Sequence, residues 1–263
     1  MKKVIAALAV LGAFTSAASA ADLAARPYTK APAPIAVAPS WTGFYIFGGG
    51  GGGIWDADTG VQSTVTGAPI LGFNQRQGGD GWYGTVGAGY DWQTANSWVI
   101  GVFADGQFGS LKGTIQDQDL GIAGNIKNDY SWAVGARLGY LIAPNVLSYV
   151  NAGYSNSHWK GTTLFDTATA LPVGGHTNSF DRNGWFVGGG VENNLNIFGI
   201  TAPGWFMKTE YRAAYYDNKN ISELADGTNI SNGRDITFRP FVQTISTSLV
   251  YRFNWTGPVV AKY

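Results

Sequence analysis

Few residues of this chain are of the types that perform catalysis or bind metal ions. Among its 263 residues there is no Cys, and there are only two histidines, His158 and His176. The lack of Cys excludes disulfides, thiolate metal sites and cysteine nucleophiles. Asp166 and Asp181 are close to the histidines in sequence, but nothing in their spacing requires the four side chains to converge. We therefore predict that the chain is not an enzyme and holds no metal or cofactor.

A run of six glycines, Gly48–Gly53, has the composition of a phosphate-binding loop. The run is not followed by the Lys-Ser/Thr pair of such loops, and no helical pattern comes after it. The interpretation that remains is a twisted strand lying against a bulky neighbour.

More informative are seven charged residues that recur on the polar side of alternating segments. Four are positive and three are negative, so the set is nearly neutral. Such charges could pair and fill a closed interior, or they could line a narrow polar channel. The set consists of Asp105, Arg137, Glu192, Lys208, Glu210, Arg212 and Arg252. The order of the segments makes Glu192 a neighbour of the Lys208/Glu210 segment, Asp105 a neighbour of the Arg137 segment and Arg252 a neighbour of the Arg212 segment.

The composition restricts the elements that could position these charges. Charged residues make up 13% of the chain, about half the usual share, while Gly (38 residues) is about twice as common as usual. The aromatic content of 14% excludes intrinsic disorder. The balance of 17 basic and 17 acidic residues excludes a strongly basic nucleic-acid binder. Because no interior stretch approaches 18 apolar residues, the chain could cross a membrane only as a closed β-barrel.

From Trp41 onward, eight segments alternate polar and apolar residues with a period of two, as transmembrane strands do. In the second segment one face carries Trp82, Val86, Ala88, Tyr90 and Trp92, and the other carries Tyr83, Thr85, Gly87, Gly89 and Asp91. Aromatic residues end the apolar faces, as in the interfacial girdles of membrane barrels. The pairs are Trp82 and Trp92, Trp98 and Phe108, and Tyr130 and Tyr140.

The connections between the segments alternate in length. Those near 93–97, 141–145 and 194–204 are short, whereas those near 56–80, 110–128, 156–182 and 217–237 are long and polar. This pattern predicts an all-β protein, an eight-stranded antiparallel transmembrane β-barrel with short periplasmic turns and four long extracellular loops. An even number of strands places both termini in the periplasm. A soluble β-sandwich also alternates, but its second face would be charged, and here that face is mostly Gly, Ser and Thr.

The ends of the chain indicate export. Lys2 and Lys3 precede an apolar run, and Ala18-Ser19-Ala20 is a typical cleavage motif. The next segment is rich in Pro and Ala, as extended linkers are. The predicted organisation is a signal peptide at 1–20, a periplasmic linker at 21–40, an outer-membrane barrel at 41–254 and a C-terminal extension at 255–263.

Several segments resemble alphaproteobacterial outer-membrane immunogenic proteins, which are small porin-like barrels similar to the OmpA transmembrane domain. The resemblance is carried by ADLAARPYTKAPAP, WTGFYI, GWFVGGGVENNL, KTEYRAAYYD and SLVYRFNW. It implies an integral protein of the outer membrane, exposed at the cell surface and without catalytic residues. It also implies a C-terminal aromatic residue that the barrel assembly machinery recognises, and Phe253 and Tyr263 are the two candidates.

The expected function is a structural and surface-exposed role in the bacterial envelope, as a surface antigen in contact with outside partners. The expected partners are outer-membrane lipid and lipopolysaccharide, the barrel assembly machinery, and host or surface ligands bound through the loops, with no nucleic acid. The alternative is a small porin passing ions or polar solutes, for which the many inward glycines would leave a wet path. An outer-membrane enzyme is a distant third.

Overall fold

The computed structural model describes residues 40–94, 97–197 and 200–253. The predicted signal peptide, the predicted linker up to residue 39, and the extension with Tyr263 lie outside the described residues. Within the described part no helix is long and apolar enough to cross a membrane. The strands are β1 (Gly43–Ser63), β2 (Gln75–Gln93), β3 (Trp98–Asp117), β4 (Ile122–Ala143), β5 (Val146–Lys160), β6 (Thr163–Asp166), β7 (Pro172–His176), β8 (Phe180–Ile197), β9 (Ile200–Tyr216), β10 (Lys219–Ala225) and β11 (Ser231–Arg252).

Eight of these strands form a closed antiparallel ring, which confirms the predicted eight-stranded barrel. The ring order is β1-β2-β3-β4-β5-β8-β9-β11, and β11 pairs back onto β1. The closing ladder is continuous from Tyr45 opposite Arg252 to Ser63 opposite Arg234. Closure leaves no strand edge unpaired, which is the condition for a sheet to stand in lipid. We call the end with the β2–β3 and β4–β5 turns the lower end, and the opposite end the upper end.

The connections predicted as long loops are largely strand. β1, β3, β4 and β11 contain 20 to 22 residues each, about twice the length needed to cross a membrane. At the upper end the ladder β4–β6–β7–β10–β11 replaces β5, β8 and β9, so the wall there again has eight strands. Backbone N–H and C=O groups need hydrogen-bond partners whatever the side chains are. The strand pairing therefore continues into polar segments whose side chains no longer alternate.

The outer wall carries two rows of paired aromatic rings. At the lower end Trp98 lies 5.2 Å from Tyr140 and Trp205 lies 5.1 Å from Tyr251, measured between ring centroids. Higher on the wall, near the last residue of β9, Tyr215 stacks on Trp185 and on Phe241, at 4.6 and 4.4 Å. Trp205 and Tyr215 are ten residues apart on β9. At roughly 3.3 Å per residue and a tilt of about 40°, this spacing gives about 25 Å, the height of a membrane barrel's apolar band.

The glycine run lies inside β1 and is not a loop. A Cβ added at Gly49 or Gly51 would overlap the backbone of β11, at the carbonyl oxygens of Thr247 and Ile245. The run therefore allows the closing strands of the barrel to approach each other closely, which supports the structural interpretation of these glycines.

Candidate functional site

The interior of the barrel is where the charged residues of the strands meet. All seven residues selected from the sequence are buried there. An eighth, Asp91, is 0% exposed and was missed, although its alternation with Tyr83 and Thr85 places it on the inner face. With Asp91 included, the interior of the membrane-spanning part holds four positive and four negative groups.

Four of these residues form a lower cluster, made of Asp91, Arg137, Glu192 and Arg252. Arg137 pairs with Asp91 and, at 3.1 Å, with Glu192. Arg252 reaches the same two carboxylates, each at 2.8 Å. Each guanidinium thus joins both acids, and the cluster is neutral.

Aromatic rings cover the lower cluster. The Arg252 guanidinium lies 4.4 Å from the Trp41 ring centroid, and that of Arg137 lies 4.4 Å from the Tyr45 ring centroid. Arg252 Nη1 also donates to the Trp41 carbonyl oxygen at 3.3 Å. These contacts supply partners to the faces and edges of the guanidinium groups, as a buried cation requires.

The other four residues, Asp105, Lys208, Glu210 and Arg212, form an upper cluster. Arg212 on β9 donates two hydrogen bonds across the lumen to Asp105 on β3, at 3.0 and 2.7 Å. It also donates to Glu210 at 2.9 Å, and the Lys208 ammonium lies 3.6 Å from Glu210. A fork of two hydrogen bonds to one carboxylate is the strongest geometry available to Arg.

The strands that carry these charges are neighbours as predicted, but the ion pairs do not follow the order of the strands. Glu192 and Lys208 are opposite each other on β8 and β9, yet Glu192 pairs with the two arginines of the lower cluster. Likewise Asp105 pairs with Arg212, not with Arg137. Because barrel strands are tilted, side chains at one height come from alternate strands, and an eight-stranded lumen is narrow enough for Arg to cross it.

Above the two clusters the lumen is also filled. A cavity of about 10 Å³, close to the minimum for one water, lies between Asp105, Ser155 and Tyr216. Higher still, the rings of Trp55, Trp159 and Phe238 meet edge to face, with centroids 5.0 to 5.6 Å apart.

The inward glycines of β2 provide space for rings from β1. Phe47 is opposite Gly87 and Tyr45 is opposite Gly89, and a Cβ at either glycine would overlap the facing ring. These positions are therefore covered by aromatic side chains and do not leave the wet path that a channel needs.

A third group of charges lies inside the upper end. Arg234 on β11 binds Asp117 at 2.7 Å and Asp119 at 2.8 Å, which ties β11 to the tip of the β3–β4 hairpin. Glu223 on β10 is 1% exposed and accepts a hydrogen bond from Asn232 at 2.7 Å. Burial, together with the nearby negative charge of Asp117, raises the pKa of Glu223 to about 7.

Of the four residues considered for catalysis, only His158 and Asp181 pair with each other in the described part of the chain. His158 pairs with Asp181 at 2.9 Å and stacks on Tyr130 at 4.7 Å, on the outer wall. His176 pairs instead with Asp226 at 2.7 Å.

Asp166 belongs to a turn. It accepts hydrogen bonds from the backbone of Ala168 and Thr169, and those from Thr169 lower its pKa. In the described part of the chain no group of three or more His, Asp or Glu side chains could hold a metal ion.

An eight-stranded ring with an apolar outer wall, two aromatic rows and a filled, charge-balanced lumen defines a small outer-membrane β-barrel protein. No protein-family model matches the chain. The 31 kDa outer-membrane immunogenic proteins of Brucella melitensis biotype 1 and Brucella suis biovar 1 are each 30% identical to it over 260 residues, covering 96% of this chain and 100% of theirs. The chain therefore belongs to the family of these outer-membrane immunogenic proteins, which confirms the resemblance found in the sequence.

Solved structures show lower similarity. The outer membrane protein OprG of Pseudomonas aeruginosa is 14% identical with a TM-score of 0.48, covering 80% of this chain and 97% of that protein. Neisserial surface protein A is 14% identical with a TM-score of 0.38, covering 82% and 99%.

Proposed function

We propose that this outer-membrane barrel acts through its surface, as an envelope protein and surface antigen whose lumen is closed. The observation that carries the proposal is the continuous filling of the lumen by two neutral charge clusters and the apolar layer of Trp55, Trp159 and Phe238. Solutes could pass only if buried ion pairs separated, which costs several kcal/mol per uncompensated charge.

The proposed orientation places the lower end and both termini in the periplasm and the upper end outside the cell. Short turns at one end and a tall wall at the other support it. In this orientation the upper wall is the surface offered to antibodies and host or surface ligands, and the apolar wall faces lipid and lipopolysaccharide. The role involves no nucleic acid, metal or cofactor.

Phe253 is the proposed signal for the barrel assembly machinery. Its side chain is 56% exposed and meets Tyr251 edge to face at 5.1 Å. Its backbone N–H donates to the Phe44 carbonyl oxygen at 3.1 Å, so it stands where β11 closes onto β1. Tyr263 is the alternative.

Planar-bilayer recording tests the closed lumen and separates it from the porin alternative. Refolded protein, with its insertion verified by a heat-modifiable shift on SDS gels, is expected to give no steady ion steps. Asp105→Ser/Arg212→Ser removes both members of the pair that crosses the lumen but leaves the lower cluster and the layer of Trp55, Trp159 and Phe238, so this variant is also expected to give no steady steps. Steady, reproducible steps from the unaltered protein would overturn the proposal in favour of a small porin.

The proposal gives the histidines no catalytic role, because each pairs with a different Asp and His158 is on the outer wall. His158→Ala and His176→Ala are therefore expected to leave any hydrolytic activity measured in the purified barrel unchanged. A hydrolytic activity of the purified barrel that either substitution abolished would contradict this expectation.

A further inference from the structure

Three lysines lie side by side on the outer wall near the upper end. Lys112 on β3 is directly opposite Lys127 on β4, and Lys127 is directly opposite Lys160 on β5. All three alternate with buried residues such as Leu111 and Trp159, so their side chains point away from the lumen. We call Lys112, Lys127 and Lys160 the lysine row.

None of the three ammonium groups of the lysine row forms an ion pair within the described part of the protein. No carboxylate there lies within 4.0 Å of them, including that of Asp80, which is opposite Lys112 on β2. The neighbouring acid Asp181 lies 2.9 Å from His158 Nδ1 and forms no ion pair with the lysine row. Like charges directly opposite each other on neighbouring strands destabilise a sheet, so this arrangement calls for an anion from outside the chain.

The position of the lysine row indicates what kind of anion it binds. Tyr130 and His158 stack in parallel on the same two strands, and Lys160 follows His158 by two residues, roughly 6.6 Å further toward the upper end. Aromatic rings at a barrel's edge stand at headgroup level, so the ammonium groups are placed at or just above the headgroups. Between them lies a depression of about 450 Å³, also lined by Thr114 and Asn125, which can hydrogen-bond to phosphate oxygens.

We propose that the lysine row binds the phosphate groups of lipopolysaccharide in the outer leaflet. The inference rests on the orientation proposed above, since only the outer leaflet carries this lipid. A lipid is favoured over free phosphate because the site opens sideways, directly above the apolar wall along which acyl chains would run. Clustered basic residues at a membrane surface are the usual partners of anionic headgroups.

The test measures binding of purified lipopolysaccharide, and of the same material after chemical dephosphorylation, to the full chain refolded in detergent micelles. Lys112→Gln/Lys127→Gln/Lys160→Gln is expected to bind the phosphorylated lipid at least tenfold more weakly, and to bind the dephosphorylated lipid as the unaltered protein does. The matched control is Arg76→Gln/Arg239→Gln, which removes two outer-wall cations that face Asp58, and it is expected to bind normally.

The triple variant removes a repulsion between like charges, so in micelles without lipopolysaccharide it is expected to be at least as stable as the unaltered protein. Lys127→Gln alone is a second variant, because Lys127 takes part in both like-charge contacts. Equal binding by the triple variant, equal loss in the control, or full competition by millimolar inorganic phosphate would overturn the proposal. Both ends of the barrel are accessible in micelles, so this assay measures binding to the lysine row whichever end faces outward. The orientation itself is tested separately, by epitope accessibility.

Discussion

Arg212 shows how a single buried residue contributes to the filling of the lumen. Its side chain lies in the lumen and binds the carboxylates of Asp105 and Glu210. The contact with Asp105 spans the barrel. A buried ion pair contributes little compared with an apolar pair of the same shape, whereas an unpaired buried charge is costly. A substitution that removes one partner should therefore lower the free energy of unfolding more than a pair of substitutions that removes both.

Arg212→Met is expected to lower the free energy of unfolding by about 3–5 kcal/mol, because Asp105 is left buried without a cation. Adding Asp105→Leu should recover part of that loss, since no unpaired charge then remains at this position. Urea unfolding in micelles, followed by tryptophan fluorescence, measures Arg212→Met, Asp105→Leu and the double variant. A double variant as unstable as the sum of the two single variants would show that the two residues do not interact.

Gly87, which is opposite Phe47, leaves room for the Phe47 ring. Gly87→Ala would bring a methyl group into the Phe47 ring and is expected to cost about 1–3 kcal/mol through overpacking. Gly84→Ala on the outward face of the same strand is the control, because its nearest neighbour would be 3.7 Å away. Equal effects of the two substitutions in urea unfolding would contradict the packing of rings on inward glycines.

β10 is the element whose stability we expect to depend on pH. It completes the upper wall between β7 and β11, and it carries Glu223 beside Asp117, Arg234 and Asn232. A carboxyl group whose pKa is raised on folding is protonated in the native state, so it contributes most stability below its unfolded pKa. That contribution is lost as the pH rises through the pKa of the folded state.

The upper wall is therefore expected to loosen as the pH rises from about 4.5 to about 7. Hydrogen exchange of the β10 amides, corrected for intrinsic rates, should speed up over this range. Glu223→Gln should remove the change, and Asp217→Asn, at an exposed carboxyl just before β10, should keep it. Identical pH profiles for Glu223→Gln and the unaltered protein would exclude Glu223 as the titrating group.

The end of β11 gives a prediction about assembly. Phe253→Ala is expected to reduce the amount of heat-modifiable barrel in the outer membrane several-fold, because it removes the exposed ring at the closing strand. A chain ending after Phe253 is expected to assemble normally. The opposite pair of results would assign the signal to Tyr263.

At the scale of the whole molecule, the orientation of the barrel can be tested directly. An epitope inserted after Val65, an exposed residue in the connection between β1 and β2, should be accessible to antibody on intact cells. An epitope inserted after Pro144, in the turn between β4 and β5, should be accessible only after the outer membrane is opened. Surface labelling of the second epitope on intact cells would reverse the proposed orientation.

Much of this architecture could be predicted from local sequence. The number of strands, the lipid-facing side of each one and the inward position of residues such as Glu210 follow from two-residue alternation, which neighbouring residues determine by themselves. The extent of β1 and β3 beyond the membrane could not be predicted in this way, because polar hairpins lose the alternation while keeping the backbone ladder.

Only the tertiary structure decided which charges meet. Arg212 reaches Asp105 across the lumen, and Lys112, Lys127 and Lys160 line up on three strands, although these residues are far apart in sequence. Both arrangements depend on the register and tilt at which eight strands close into a ring. Register and tilt are set by all the strands together, so no single segment of the sequence contains them.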